Sequence, residues 1–375
     1  MLKIYTMKKI IIKLALISSI LGQDCLDDRY INEIYDVDII QGVEFGSNEN
    51  DFFGSPVTEV LYMDIYQPSE DSEENRPLIF FLFGGAFVTG SRTSSDIVEL
   101  CTRYAKRGYV AVAIDYRLTP SLIINGTEEN AYIAVMKAIH DLKAAIRYFK
   151  MDDEQNNIYR IDSDRVFAGG ISAGSITAVN TAYLNHEYEI PSFISDQLDE
   201  IGGMEGNSGN EGYNSNFHGV VNLCGAVGDY NWIEPNDKPI VNMHGDADDV
   251  VPYSDQLVTL FGLNLQVYGS YIIHQTMNEL EIPSALYTYE GGGHCPFENM
   301  DTVLEFTSTF LYDLVCPEYF LPGDINDDGL VNIQDVVIVI NIILNISPNN
   351  EYADINNDGL VNIQDIIIII SIILN

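Results

Sequence analysis

A serine caged by small residues, Gly169-Gly170-Ile171-Ser172-Ala173-Gly174, follows the apolar run Val166-Phe167-Ala168. Small neighbours suit a sharp strand-to-helix turn, whose strained backbone lifts the hydroxyl out of a sheet and leaves the next N–H, that of Ala173, facing a reacting carbonyl. A serine hydroxyl attacks an acyl carbon only when a base takes its proton, and the base works only when a carboxylate fixes its tautomer. Both residue types stand downstream at the ends of apolar runs. Lys238-Pro239-Ile240-Val241-Asn242-Met243-His244-Gly245 opens into Asp246-Ala247-Asp248-Asp249, and Ala285-Leu286-Tyr287-Thr288-Tyr289-Glu290 ends in Gly291-Gly292-Gly293-His294. Serine, acid and histidine in this chain order suit nucleophilic acyl transfer. Asp246, Asp248 and Asp249 can each be the acid.

The elements needed to position these groups are legible around them. Pro77-Leu78-Ile79-Phe80-Phe81-Leu82-Phe83 reads as a buried strand that breaks into Gly84-Gly85-Ala86-Phe87. The N–H groups of Gly85 and Ala86, with that of Ala173, can form an oxyanion hole, where fixed donors lower the barrier by several kcal/mol. Ala111 to Leu118 reads as another strand and Ala131 to Tyr148 as a helix. This order, with Asp115-Tyr116-Arg117-Leu118 and Ile161-Asp162-Ser163-Asp164-Arg165-Val166, resembles the α/β-hydrolase carboxylesterases near the hormone-sensitive-lipase-like branch, over roughly residues 56 to 315. The resemblance implies an α/β fold with a mostly parallel sheet flanked by helices. It also implies a triad of Ser172, Asp248 and His294, because family members place the acid just before an x-V-V-P stretch such as Val250-Val251-Pro252.

Two positions depart from the family. Its leading oxyanion-loop histidine is Phe83 here, and the residue before the nucleophile is Ile171 where many relatives carry an acid. His140, His186, His218 and His274 read as surface or packing residues, and His244, beside the acid loop, as structural. Tyr253 to Leu280 reads as helical. Gly202 to Asn216, dense in glycine and asparagine, is either an excursion over the nucleophile face or a plain surface loop.

A second chemistry is written at the C-terminus. Asp324-Ile325-Asn326-Asp327-Asp328-Gly329-Leu330-Val331-Asn332-Ile333-Gln334-Asp335 repeats thirty residues on as Asp354-Ile355-Asn356-Asn357-Asp358-Gly359-Leu360-Val361-Asn362-Ile363-Gln364-Asp365. Oxygens at loop positions one, three, five, nine and twelve, a carbonyl at seven and glycine at six match a seven-coordinate calcium site. The ligand sets are Asp324, Asn326, Asp328, Leu330, Asn332 and Asp335, then Asp354, Asn356, Asp358, Leu360, Asn362 and Asp365, which predicts two Ca²⁺ per chain. Aspartate at position twelve and no helix before each loop make residues 321–375 resemble a type I dockerin, a small all-α module that docks on a cohesin. Ile333-Gln334 and Ile363-Gln364 differ from the polar recognition pairs of familiar cellulosomal dockerins. The runs Val336 to Leu344 and Ile366 to Leu374 are too short to span a bilayer. As helices they must bury nearly all round, most simply against each other, or leave a docking face.

Composition sets the surroundings. Lys3, Lys8, Lys9 and Lys13 around the apolar run from Ile10 to Leu21 read as a signal peptide over residues 1–23. The hydrolase domain is then expected over 24–318 and the dockerin-like module over 321–375. A formal net charge of −38 argues against nucleic-acid or anionic-membrane partners, and no segment is long enough for a transmembrane span. Five cysteines in an exported chain allow two disulfides and one free thiol. Cys25 paired with Cys101 is a plausible tie for the mature N-terminus, and a bonded Cys295 would stiffen the loop of His294.

The expected activity is a secreted carboxylic-ester hydrolase working through an acyl-enzyme, with no catalytic cofactor. Acetyl or feruloyl esters of polysaccharides are candidate substrates. A serine peptidase of the prolyl-oligopeptidase type shares the elbow and the residue order but usually carries a propeller domain. A catalytically silent binding protein on the same fold would not need Ser172, Asp248 and His294 together.

Overall fold

The computed structural model describes residue 25 and residues 29–52, 55–316, 323–326, 330–348, 350–356 and 359–374. The expected signal peptide (1–23) and the expected ligands Asp328 and Asp358 lie outside the described residues. The chain divides into two compact units, one ending at Val315 and one starting at Cys316.

The first unit is built on an eight-stranded sheet of order β1-β2-β4-β3-β5-β6-β8-β11. Two long antiparallel strands, β1 (Val37–Phe52) and β2 (Ser55–Pro68), form its outer edge, and β2 pairs antiparallel with β4 (Val110–Ile114). From β4 onward the pairing is parallel, through β3 (Arg76–Leu82), β5 (Ile161–Ile171), β6 (Gly219–Leu223), β8 (Ile240–Gly245) and β11 (Ser284–Tyr289). Every residue of β3, β4, β6 and β8 is buried. That is what continuous apolar runs give when helices cover both faces of a parallel sheet. The longer helices are α1 (Ser95–Ala105), α2 (Glu128–Gln155), α3 (Ala173–Tyr183), α4 (Ser270–Glu279) and α5 (Met300–Val315). The central strand β5 ends at the nucleophile, so Ser172 sits at the carboxyl edge of the sheet, where α/β folds bind ligands.

Three expectations change. Tyr253 to Leu280 is helical only over α4. Before it, β9 (Asp255–Leu260) and β10 (Leu263–Gly269) form an antiparallel hairpin, and β10 also pairs with the two-residue strand β7 (Ala226–Val227). Its turn is Phe261-Gly262, with φ of +53° and +79°, the left-handed pair that two-residue hairpin turns require. Period-two alternation of Leu263, Leu265 and Val267 with Asn264 and Gln266 is the pattern of such a strand. The Gly202–Asn216 loop does not cover the nucleophile. Ser208 within it is fully buried and bonds Asp141 Oδ1 (2.7 Å) and Arg117 Nη2 (3.1 Å), while the Ser47 N–H bonds its carbonyl (2.9 Å). The buried Arg117–Asp141 ion pair thus pins the loop to β1 and α2. Finally, Cys101 is a buried free thiol on α1, so it does not pair with Cys25. The disulfide-bonded cysteines are Cys25, Cys224, Cys295 and Cys316.

The second unit holds α6 (Ile333–Ile343) and α7 (Ile363–Leu374). Its core is Ile325, Val336, Val339, Ile342, Ala353, Ile366 and Ile369. The expectation of burial nearly all round fails here. Ile333, Val337, Ile340 and Leu344 are exposed, and so are their thirty-residue equivalents Ile363, Ile367, Ile370 and Leu374. One face of each helix suffices for a core this small, so the opposite face stays in solvent.

Candidate active site

The elbow forms because the residues around Ser172 have almost no side chains. A Cβ on Gly174 would lie 2.1 Å from the Leu82 carbonyl oxygen, and one on Gly170 would lie 2.5 Å from the Gly174 backbone. Strand β5 therefore passes into α3 against β3 only with glycine at both positions. Ser172 itself has φ +54° and ψ −117°, outside the ordinary basins for an L-residue. Such strain persists only where the surrounding structure imposes it. Here the parallel sheet and the Ser172 N–H bond to the Leu223 carbonyl (2.9 Å) hold it.

The loops after β8 and β11 bring the expected partners to it. His294 Nε2 is 2.9 Å from Ser172 Oγ and Nδ1 is 2.7 Å from Asp248 Oδ2. Of the three candidate acids, Asp248 is the one bonded to His294. Asp246 accepts the Gly291 N–H (2.6 Å) and so holds the histidine loop. The Asp248 side chain is fully buried. Burial would raise its carboxyl, but hydrogen bonds from His244 and His294 and the Val250 N–H outweigh it and hold the group well below the usual carboxylate range. The acid therefore stays ionised and acts only as an acceptor toward the His294 ring.

One participant escaped the sequence. His244, at the end of β8, is fully buried and places Nε2 3.1 Å from Asp248 Oδ2 and 3.0 Å from the Val251 carbonyl, with Nδ1 2.8 Å from Ser270 Oγ. Two acceptors facing Nε2 fix its proton there, leaving Nδ1 to accept from Ser270. Asn222 Nδ2 supports Ser270 (3.1 Å) and Asn242 Oδ1 (2.8 Å), and Asn222 Oδ1 accepts from Ser175 Oγ (2.5 Å). A buried polar ladder across β6 and β8 thus runs beneath Ser172. The available signal was polar asparagine inside two apolar strands, at register partners Asn222 and Asn242.

Gly85, Ala86 and Phe87 have φ of +124°, +54° and +62°. This left-handed run turns successive N–H groups to one side, and among the described residues those of Gly85, Ala86 and Ala173 meet no acceptor. Phe83, in place of the family histidine, is buried and stacks on Tyr116 at 4.3 Å, while Tyr116 Oη donates to the Phe83 carbonyl (2.8 Å). Packing takes over the bracing of the loop. An apolar cavity of about 150 Å³ opens beside Ser172, walled by Phe87, Ile176, Trp232, Val251 and the hairpin residues Val258, Leu263, Leu265 and Val267.

Residues 63–226 match the BD-FAE family and residues 322–374 the dockerin type I domain. The first match falls within the unit ending at Val315 and the second within the unit starting at Cys316, so the chain resembles a BD-FAE esterase domain followed by a dockerin type I domain. The BD-FAE match includes Ser172 but stops short of Asp248 and His294, which rest on geometry. The chain is similar to esterase LipC of Mycobacterium tuberculosis, 26% identical over 150 residues, covering 38% of this chain and 33% of LipC. It is also similar to the mouse (Mus musculus) pyrethroid hydrolase Ces2a, 28% identical over 123 residues, covering 31% of this chain and 21% of Ces2a. The chain thus spans a third or less of the length of these relatives. Native Thermogutta terrifontis esterase 2 shares the fold with TM-score 0.50 and 20% identity, over 73% of this chain and 95% of that one.

In the dockerin domain, Asp335 and Asp365 are fully buried. Asp335 accepts the Ile325 and Asn332 N–H groups (both 2.8 Å), and Asp365 those of Ile355 (2.9 Å) and Asn362 (2.8 Å). The Asn332 and Asn362 side chains accept the Gln334 and Gln364 N–H groups (2.8 Å each) and so start α6 and α7. From Cys316 to Asn375 there are nine acidic residues and no Lys, Arg or His. Buried carboxylates need a counter-charge, and none comes from this stretch. The oxygen-only donor set fits calcium, which type I dockerins bind. No described helix is long and apolar enough to cross a membrane.

Proposed function

We propose that the hydrolase domain is a secreted serine carboxylic-ester hydrolase and that the dockerin domain docks it, with two Ca²⁺ bound, on a cohesin-type protein. The observation that carries the enzymatic reading is the unbroken chain Ser172 Oγ, His294 and Asp248 at 2.9 and 2.7 Å. Ser172 Oγ attacks the ester carbonyl as His294 Nε2 takes its proton, and the N–H groups of Gly85, Ala86 and Ala173 receive the developing oxyanion. His294 returns the proton to the leaving alcohol. Water then enters, gives its proton to His294 and releases the acid from Ser172. Asp248 keeps the imidazole in the tautomer both steps need.

The cavity bears on the choice between the candidate acyl groups. An apolar cavity of about 150 Å³ accepts a guest the size of benzene, so an acetyl group leaves it mostly empty and an aromatic acyl group such as feruloyl fills it. A series of esters sharing one alcohol tests this. Rates at low substrate should rise about fourfold per methylene added to the acyl chain until the cavity is full. A profile that peaks at acetyl rejects the cavity as the acyl site.

Docking is supported by the two exposed stripes, Ile333, Val337, Ile340 and Leu344 on one helix and Ile363, Ile367, Ile370 and Leu374 on the other. Apolar rather than polar residues head both stripes, so the expected partner presents an apolar face.

A further inference from the structure

Cys224 and Cys295 form a disulfide that bridges 71 positions of sequence, and both ends lie on the catalytic machinery. Cys224 follows directly on β6, next to Leu223, whose carbonyl accepts the Ser172 N–H, and its own N–H bonds the Met243 carbonyl (2.9 Å). Cys295 follows directly on His294. Both cysteines have left-handed backbones, with φ of +54° and +48°, a conformation that costs a non-glycine residue free energy unless its surroundings impose it. The loop they close needs such a tie. Gly291, Gly292 and Gly293 lead from β11 to His294, and the loop backbone is also held by the bonds from the Ala247 N–H to the Gly292 carbonyl (2.9 Å), from Gly292 to the Tyr289 carbonyl (3.0 Å), from Phe297 to the Cys295 carbonyl (2.7 Å) and from Gly291 to Asp246 (2.6 Å).

The sulfurs also lie against the base. Cys295 Sγ is 3.4 Å from His294 Nε2, and the two sulfurs and an imidazole nitrogen all fall within 4.8 Å of one another. While the bond is intact the sulfurs offer no thiolate. Once it is broken, two thiols and one imidazole converge, the donor set of a Cys2His zinc site with a fourth position open to water. The orientation of His294 favours such a site. Its Nδ1–H is already held by Asp248 (2.7 Å), which is how metal-bound histidines are ordinarily braced by a carboxylate, and Nε2 presents its lone pair to the sulfurs and to Ser172 alike.

We propose that the Cys224–Cys295 bond is a reducible strut of the active site, and that its reduction converts Cys224, Cys295 and His294 into a site for a thiophilic divalent cation of the zinc type, which silences the enzyme. A dithiol supplies two electrons and two protons, becoming a disulfide as Cys224 and Cys295 become thiols. The cation then binds both sulfurs and Nε2 and displaces the two thiol protons. The metal occupies the lone pair that would take the Ser172 proton, so Ser172 loses its base. Cys224 is buried, but Cys295 is half-buried beside the partly open His294, so the pair is open to solvent on that side.

The test uses the full chain in calcium buffer, reduced with dithiothreitol, freed of it without oxygen, and titrated with Co²⁺ and then Zn²⁺. The reduced protein should bind one Co²⁺ per chain with thiolate-to-metal absorption. That band should be absent from the oxidised protein and from Cys224→Ser/Cys295→Ser, and weakened in His294→Ala. Zinc should slow fluorophosphonate labelling of Ser172 about 100-fold in the reduced protein only, reversibly with a chelator. A reduced chain without the band overturns the proposal, as does a band that persists in the double-serine variant, where only Cys25, Cys101 and Cys316 remain as thiols. Equal inhibition of oxidised and reduced protein overturns it too. The cobalt band does not depend on Ser172 being a nucleophile, so it fails or succeeds separately from the esterase reading.

Discussion

The two units bury acidic side chains in opposite ways. In the hydrolase domain four of the five described buried aspartates face a basic or imidazole side chain, Asp152 being the exception. Asp141 faces Arg117 at 2.9 Å, Asp71 faces Arg29 at 2.8 Å, and Asp248 accepts from two histidines and from the Val250 and Val251 N–H groups. In the dockerin domain Asp335 and Asp365 are equally buried, yet the stretch from Cys316 onward holds no basic residue. An unpaired buried charge costs several kcal/mol. The first unit therefore carries its own electrostatic solution, whereas the second must take a cation from its surroundings. On the proposed reading, the second unit is completed by its calcium.

If that division is right, the largest losses of ester hydrolysis come from changes inside the first unit. Ser172→Ala removes one oxygen from a turn already lined with small residues, and it should lower the rate by about a million-fold without altering the circular dichroism spectrum. Asp248→Asn keeps the shape but frees the imidazole tautomer, with an expected loss of about ten-thousand-fold. Asp246→Asn keeps an acceptor for the Gly291 N–H and should change the rate little. Turnover measurements that rank Asp246→Asn below Asp248→Asn would put the acid on the wrong residue.

His244 refines the same point on a smaller scale. It is one of four donors on the Asp248 carboxylate, and losing one donor to a buried charge costs about 1.4 kcal/mol, a tenfold effect. His244→Leu should lower kcat about tenfold with KM nearly unchanged. His244→Gln places an amide N–H near the old Nε2 position and should recover most of the loss. Equal defects in the two variants would mean that His244 serves packing alone.

Much of this was legible because the chemistry sits where secondary structure changes. Ser172, Asp248 and His294 each end an apolar run, and a run that stops at Gly or Asp announces the carboxyl edge of a buried strand. The hairpin over residues 255–269 is not legible because Tyr253 to Leu280 reads as one helical block. The alternation of Leu263, Leu265 and Val267 is short, and Phe261-Gly262 lacks the asparagine or aspartate common in such turns. His244 and the disulfide partners were illegible for another reason. Hydrogen bonds across β6 and β8, and a link spanning 71 positions, depend on strand order, which local pattern does not encode. The stripes of the dockerin helices could be counted in the sequence. Which stripe faces inward depends on how the calcium loops start each helix.

The smallest expected effect on catalysis is also the sharpest test of the difference between the domains. Chelating calcium should leave hydrolysis of small soluble esters unchanged, because no group of the Ser172 site is among the expected calcium ligands. The dockerin domain should meanwhile unfold. Asp335 and Asp365 each fix the start of a loop and of a helix through backbone N–H groups, and without a cation no basic side chain of this stretch balances their buried charges. Unfolding exposes the isoleucines of α6 and α7, so a hydrophobic dye should bind and the protein should aggregate, and both should reverse when calcium returns. Calorimetry should count two ions per chain, with binding and folding as one transition, since the site exists only in the folded state. Esterase activity that falls in step with dye binding would mean that the two domains are not independent, and a chelated dockerin domain that keeps its helices would mean that its buried acids find their counter-charge elsewhere.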